Sequence, residues 1–190
     1  MRIAPTGTDV KFDEKQIEEG KNFANKLYNA ARFRMMQGAA STEPAPKFTA
    51  VHIDILSKLK ELHVTVAEGL GKYEFNTYTQ ALYSFFWNEY CSLFLEAVKN
   101  DLREGDPAVK NATLYTMDTV LRHYLALLAP IMPHIAEELW QSLGFATRYN
   151  GQPLMSTPLP TADSLLAGLD ETEISKARAL STALYETANR

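Results

Sequence analysis

The sequence has few of the features that cross-link a chain or anchor it to a membrane. Its 190 residues include one cysteine, Cys91, which excludes an internal disulfide framework and is typical of reducing compartments. No apolar run approaches the roughly 18 residues that a membrane-spanning helix needs, and residues 1–5 lack the apolar stretch of a signal peptide. We therefore expect a cytoplasmic globular protein that makes no contact with a membrane, built as one domain with a trailing extension.

Motifs for metal or nucleotide chemistry are also missing. A di-metal carboxylate bundle uses Glu-x-x-His pairs, whereas His134 precedes Glu137 and Glu138 in the reverse order. The sequence has no HExxH motif and no paired-cysteine spacing for zinc. The Gly-Leu-Gly of residues 69–71 lacks a third glycine and joins two predicted helices, so it does not form a phosphate loop. We predict no metal site, no cofactor and no catalytic residue in this chain.

Apolar residues recur at helical spacing through most of the sequence. Asp13 with Gln16 resembles a capping box, and Asn76 suits the N-cap of the third helix. The predicted helices are 13–37, 49–70, 76–103, one ending at about 128, 133–144, and a polar helix from about 170. Apolar stripes are predicted on three of them: Ile55, Leu59, Leu62 and Val66 on the second, Tyr78, Leu82, Phe85, Phe86, Leu93 and Ala97 on the third, and Leu114, Met117, Leu121, Leu125 and Leu128 on the fourth.

No convincing strand-like alternation and no internal repeat interrupts this pattern. The sequence therefore predicts an all-α helical bundle of four long helices plus a shorter one. The bundle is expected over residues 13–144. Residues 145–190 are expected to form an irregular segment and the start of a C-terminal polar helix.

The first predicted helix has an unusual outer face. Placing residues at about 100° per position puts four apolar residues on one side: Phe23, Leu27, Ala30 and Ala31. The opposite side collects amides, cations and an aromatic ring: Asn22, Asn25, Lys26, Asn29, Arg32 and Phe33. Although the whole chain has a net charge of −4, residues 20–42 contain four cations and no acid: Lys21, Lys26, Arg32 and Arg34.

This combination suits single-stranded RNA, so the six residues of the outer face are the candidate RNA-binding residues. Cations attract phosphates, amides pair with unstacked base edges, and an aromatic ring offers a surface on which a base stacks. The alternative is that Phe33 packs against another helix and the asparagines are only solvated. Arg34 falls near the core side of the helix, which the pattern does not explain.

Residues 12–33 resemble the start of the anticodon-binding domain of valyl-tRNA synthetase, a class I aminoacyl-tRNA synthetase, and residues 3–9 resemble the stretch that joins that domain to the catalytic body. Residues 73–91 are similar to the same family. Residues 128–140 are similar to a block common to the valyl, isoleucyl and leucyl enzymes. The asparagine pattern of residues 22–29 is the part that resembles the valine enzyme specifically. Tyr28 and residues 48–54 and 158–160 depart from the usual family pattern.

The resemblance implies a C-terminal anticodon-binding fragment of an enzyme that ligates valine to tRNA with ATP. Residues 1–12 would then be the junction to a catalytic domain that supplies the ATP and Mg²⁺ chemistry in cis. The implied partner is the tRNA anticodon stem-loop, and the implied state is a monomer. This fragment alone is expected to be catalytically inactive. Two alternatives stay open: the equivalent domain of an isoleucyl or leucyl enzyme, and a helical protein-interaction scaffold without affinity for tRNA.

Overall fold

The computed structural model describes residues 14–38 and 47–188, most of which are helical. The helices in chain order are α1 (Glu14–Met35), α2 (Ala50–Gly71), α3 (Phe75–Ser84), a π-helix (Phe85–Phe94), α4 (Leu95–Ala97), α5 (Lys99–Glu104), α6 (Pro107–Leu128), α7 (Pro133–Ser142) and α8 (Glu171–Ala188). Two 3₁₀ turns, Phe145–Tyr149 and Leu154–Ser156, lie in the irregular segment before α8. No strand occurs within the two described ranges, and the predicted all-α bundle is confirmed.

Local signals set the bounds of most helices. Asp106 caps α6 by accepting a hydrogen bond from the amide of Ala108 at 2.8 Å, and Pro107 occupies the first turn, where its missing N–H costs nothing. The predicted stripes of the second and fourth helices are buried, as expected. The proposed cap at Asp13, the junction at residues 1–12 and most of the loop that follows α1 lie outside the described residues.

The third predicted helix differs most from expectation. It begins at Phe75 rather than after an N-cap at Asn76, and it does not continue as one α-helix to residue 103. Residues Phe85–Phe94 form a π-helix, whose i→i+5 hydrogen bonds place more residues in each turn. The apolar stripe therefore rotates, so that Phe94, Leu95 and Val98 are buried while Leu93 is half-buried and Ala97 is exposed. Leu93 and Ala97, which the sequence groups with the other apolar residues of this helix, therefore lie outside the fully buried core.

Helices α2 and α3 approach each other closely. The sequence predicts that Gly69 helps to end α2, but this residue lies inside the helix, which continues to Gly71. A Cβ at Gly69 would lie 3.4 Å from the carbonyl oxygen of Glu74 and from the amide nitrogen of Tyr78. Gly69 therefore lies at the close contact between α2 and the start of α3, where a Cβ would sit at ordinary van der Waals distance.

The last helix covers α2. Asp170 and Glu173 form a reciprocal capping box, with hydrogen bonds of 3.0 and 2.7 Å, which starts α8 where the sequence predicts it. The buried carboxylate of Asp54 on α2 accepts hydrogen bonds from Lys58 at 2.9 Å and from Ser181 of α8 at 3.2 Å. Because Ser181 donates across the interface to Asp54, α8 is held to α2 by polar as well as apolar contacts.

Candidate nucleic-acid interface

Helix α1 lies on the bundle with its predicted core side inward. Phe23, Leu27, Ala30 and Ala31 are all buried. Asn22, Asn25, Asn29 and Arg32 are exposed on the outer face, where the sequence places them. The division of α1 into two sides is therefore confirmed, and the amide groups on the outer face are accessible to a ligand.

Lys26 lies at the edge of this face, over a neighbouring aromatic ring. Its ammonium nitrogen is 3.9 Å from the centre of the Trp87 ring on the π-helix. Trp87 in turn stacks on Tyr83, with ring centres 5.4 Å apart and planes 12° apart. The contact with Trp87 orders the Lys26 side chain at the boundary between α1 and the π-helix, and places its charge there.

Phe33 combines features of both interpretations that the sequence leaves open. Its side chain packs partly against the core and is half-buried, yet part of the ring faces a surface crevice. Phe33 is therefore neither a fully exposed platform nor an ordinary core residue. A base entering the crevice would meet a ring that is already held in place by its packing.

This crevice, of about 200 Å³, separates α1 from the π-helix and the two short helices after it. Its α1 wall is formed by Lys26, Asn29, Ala30 and Phe33. Its opposite wall is formed by Cys91, Leu95, Glu96 and Lys99. The structure thus brings three of the six predicted residues, Lys26, Asn29 and Phe33, into one concave site, while Asn22, Asn25 and Arg32 are not part of its lining.

The two walls offer complementary chemistry. Phe33 and Leu95 supply apolar surface, and burial raises the pKa of the Cys91 thiol to about 12, so Cys91 is neutral at physiological pH. The Asn29 amide both donates and accepts hydrogen bonds, whereas the Glu96 carboxylate only accepts them. Lys99 donates to Glu96 at 2.5 Å and adds a second ammonium group to that of Lys26. The crevice can therefore hold a planar ring with polar edges beside a negatively charged backbone.

Glu96 and Lys99 were not predicted as site residues. They lie in the chain segment whose helical phase the π-helix shifts, and they are about 60–70 residues from α1 in sequence. The absence of acids in residues 20–42 does not extend to the crevice, because Glu96 enters it from the other wall. No local pattern in the sequence indicates this pairing of walls.

Arg34 does not belong to the basic surface. It is 3% exposed, and its guanidinium faces the carboxylate of Asp118 on α6, with Nε 2.7 Å from Oδ1 and Nη2 2.9 Å from Oδ2. Its Nη1 also donates to the carbonyl oxygen of Gly38 at 3.1 Å. The sequence left the core-side position of Arg34 unexplained. Arg34 lies on that side because it forms an interior ion pair with Asp118, which fixes the end of α1.

Other classes of site find no support in the described ranges. No cluster of three or more His, Cys, Asp or Glu side chains there is arranged to hold a metal ion. None of the described helices combines the length and apolarity needed to cross a bilayer.

Comparison with known proteins identifies similar sequences. Residues 53–188 match the family described as the anticodon-binding domain of tRNA ligase. The chain is 39% identical over 166 residues to the valine–tRNA ligase of Laribacter hongkongensis (strain HLHK9), which covers 84% of this chain and 18% of that protein. It is 41% identical over 166 residues to the valine–tRNA ligase of Stenotrophomonas maltophilia (strain K279a), covering 84% of this chain and 17% of that protein. The chain thus spans less than a fifth of the length of these relatives, and α1 lies outside the range that the family match covers.

Proposed function

The chain belongs to the family of anticodon-binding domains of tRNA ligases, and we propose that it binds the anticodon stem-loop of a tRNA that accepts valine. The parent enzyme would ligate valine to that tRNA with ATP. Relatives named as valine–tRNA ligases favour this assignment over the isoleucyl and leucyl enzymes.

The crevice between α1 and the π-helix is the observation that carries the proposal. A base splayed out of the loop would stack on Phe33 and meet Asn29 with its edge. Glu96 would accept a hydrogen bond from an exocyclic amino group, which adenine and cytosine carry. Lys26, Lys99 and the exposed Arg32 would lie near the phosphates on either side of this base.

We assign the remaining functions of the parent enzyme to parts of that enzyme other than the domain described here. We expect a catalytic domain in cis that binds ATP and Mg²⁺, a cytoplasmic location and a monomeric state. The purified chain should catalyse no valine-dependent pyrophosphate exchange. Exchange well above background that persists through further purification would contradict this assignment.

The central test uses Phe33 and a matched aromatic residue on the same helix. Phe33→Ala should weaken binding of a valine-type anticodon stem-loop by roughly 1–3 kcal/mol, the contribution of one base–aromatic stack. Tyr28→Ala is the control, because Tyr28 is 50% exposed on α1 but does not line the crevice. Affinity from filter binding and melting temperature should be measured on the same samples. Equal losses for the two variants, or a Phe33→Ala loss explained by unfolding alone, would contradict the proposal.

Specificity and charge are tested separately. Asn29→Ala and Asn25→Ala should relax discrimination between anticodon sequences, because base-edge contacts carry the specificity. Arg32→Ala should weaken all loops alike and reduce the log–log salt slope by about 0.7 if it contacts one single-strand phosphate. Lys26→Ala should also weaken all loops alike, and losing the contact between Lys26 and Trp87 should reduce the affinity further. The scaffold alternative predicts no tRNA affinity for any of these proteins, including the unmodified chain.

A further inference from the structure

A second cavity, of about 360 Å³, lies beside α6. It is enclosed by α6, by α2 and by the turn before α8, and its polar lining comes from Tyr115, Thr119, Arg122, His123 and Ser164. Phe48, Leu56 and the residues of the turn, 165–169, complete the wall. No residue of this lining is acidic, so Arg122 gives the cavity a positive charge.

Among the described residues, the polar groups of this lining other than His123 have no hydrogen-bonding partner. Arg122 is half-buried, and no described residue forms a hydrogen bond or ion pair with its guanidinium. The hydroxyl groups of Tyr115, Thr119 and Ser164 likewise make no hydrogen bond within the described parts of the chain, although Thr119 is only 6% exposed. Thr119 is buried, Tyr115 and Arg122 are half-buried and Ser164 is exposed, so these donors line an accessible cavity and are available to a ligand that accepts hydrogen bonds.

The chemistry of the lining defines the class of that ligand. A guanidinium group matches the planar geometry of an oxyanion and binds it through two parallel N–H donors. Hydroxyl groups donate to its remaining oxygens. The His123 imidazole is not part of this charge, because its Nδ1 lies 3.0 Å from Nε2 of His63 and the two rings share a hydrogen bond. We propose that this cavity binds a phosphate group, held by Arg122 and the hydroxyls of Thr119, Tyr115 and Ser164.

Thermal unfolding of the 190-residue chain in sodium phosphate tests this proposal, with sodium chloride of equal ionic strength as the reference. Phosphate stabilises proteins in general because it is excluded from their surfaces, and that effect grows roughly in proportion to its concentration. Site binding adds a rise in melting temperature that begins near the dissociation constant and then grows with the logarithm of the phosphate concentration. Arg122→Gln should raise the phosphate concentration at which this added rise begins by about ten- to a hundredfold, the effect of losing hydrogen bonds to a charged group.

Two further variants make the test specific. Arg122→Lys keeps the charge but loses the paired donors, so its phosphate response should lie between those of the wild type and Arg122→Gln. Arg148→Gln is the control, because Arg148 is exposed and does not line the cavity, and it should respond as the wild type does. An equal response in the wild type and Arg122→Gln, proportional to the phosphate concentration from the start, would overturn the proposal.

The phosphate could belong to an RNA backbone or be free in solution, and a second arm distinguishes these sources. If RNA supplies it, Arg122→Gln should reduce the log–log salt slope of tRNA binding by about 0.7–0.9. If the ligand is free phosphate, tRNA binding should be unchanged while the thermal response is lost. A chain that binds no tRNA would overturn the proposed function but leave the thermal test intact.

Discussion

Replacing Arg34 by methionine removes one half of an ion pair that lies between α1 and α6. Asp118 is 6% exposed and would remain without its cationic partner, since the guanidinium donates one hydrogen bond to its carboxylate, from Nη2 to Oδ2, and forms an ion pair with it through Nε. Leaving a buried charge unpaired in this way costs about 3–5 kcal/mol. A typical domain is stable by only ~5–15 kcal/mol, so the variant should unfold at much lower urea concentrations. Asp118→Leu should cost a similar amount, because it removes the carboxylate that balances the charge of the buried Arg34 guanidinium.

The double variant, Arg34→Met with Asp118→Leu, distinguishes the cost of leaving one charge buried without its partner from the net contribution of the pair to stability. Two apolar side chains in the same space leave no uncompensated charge, so the double variant should lose far less than the sum of the single losses and could equal the wild type. Equilibrium urea unfolding followed by circular dichroism gives the free energies of unfolding. Lys72→Met is the control, because the Lys72–Glu68 pair is exposed and 4.0 Å apart, and it should cost less than ~1 kcal/mol. Single losses at Arg34 as small as the control's, or an additive double variant, would refute the interior placement of this pair.

Three further predictions concern pH, packing and secondary structure. Burial lowers the pKa of His52 to about 4 and that of His123 to about 3, whereas both are ~6.5 in an unfolded chain. The unfolded state therefore binds more protons than the folded state below about pH 6.5, so the contribution of these histidines to stability is fully present above that pH and is lost as the pH falls towards about 4 and 3. Between about pH 7 and pH 5 the free energy of unfolding should fall by roughly 2 kcal/mol per histidine. Urea midpoints that stay constant over this range would contradict this prediction. Phe86→Ala should lower the free energy of unfolding in urea by about 3–5 kcal/mol, because the ring is fully buried. Leu93→Ala should lower it distinctly less, because the π-helix turns that side chain half outward. Equal losses would show that the phase of the π-helix is wrong. The far-UV circular dichroism spectrum should be strongly helical, and a spectrum dominated by strand would contradict the architecture.

Sequence patterns predicted most of the fold because helices are specified locally. The predicted helix starts at Pro133 and near Asp170 follow from capping and proline chemistry within one turn, and these signals need no knowledge of distant residues. The inward side of α1 follows from 3.6-residue periodicity. The resemblance of residues 12–33 to one family of tRNA ligases is a property of the sequence as well. The RNA-binding role of the six residues on α1 stays a prediction until binding is measured.

Tertiary structure decided what depends on contacts between distant parts of the chain. Arg34 is buried rather than solvated because Asp118, 84 residues away, lies opposite it. The third helix loses its regular register because its aromatic residues pack as a π-helix against the core, and this rotation is what carries Glu96 and Lys99 to the crevice beside Phe33. Periodicity describes one helix at a time. A site between two helices depends on how they pack, and that packing depends on contacts between side chains that are far apart in the sequence.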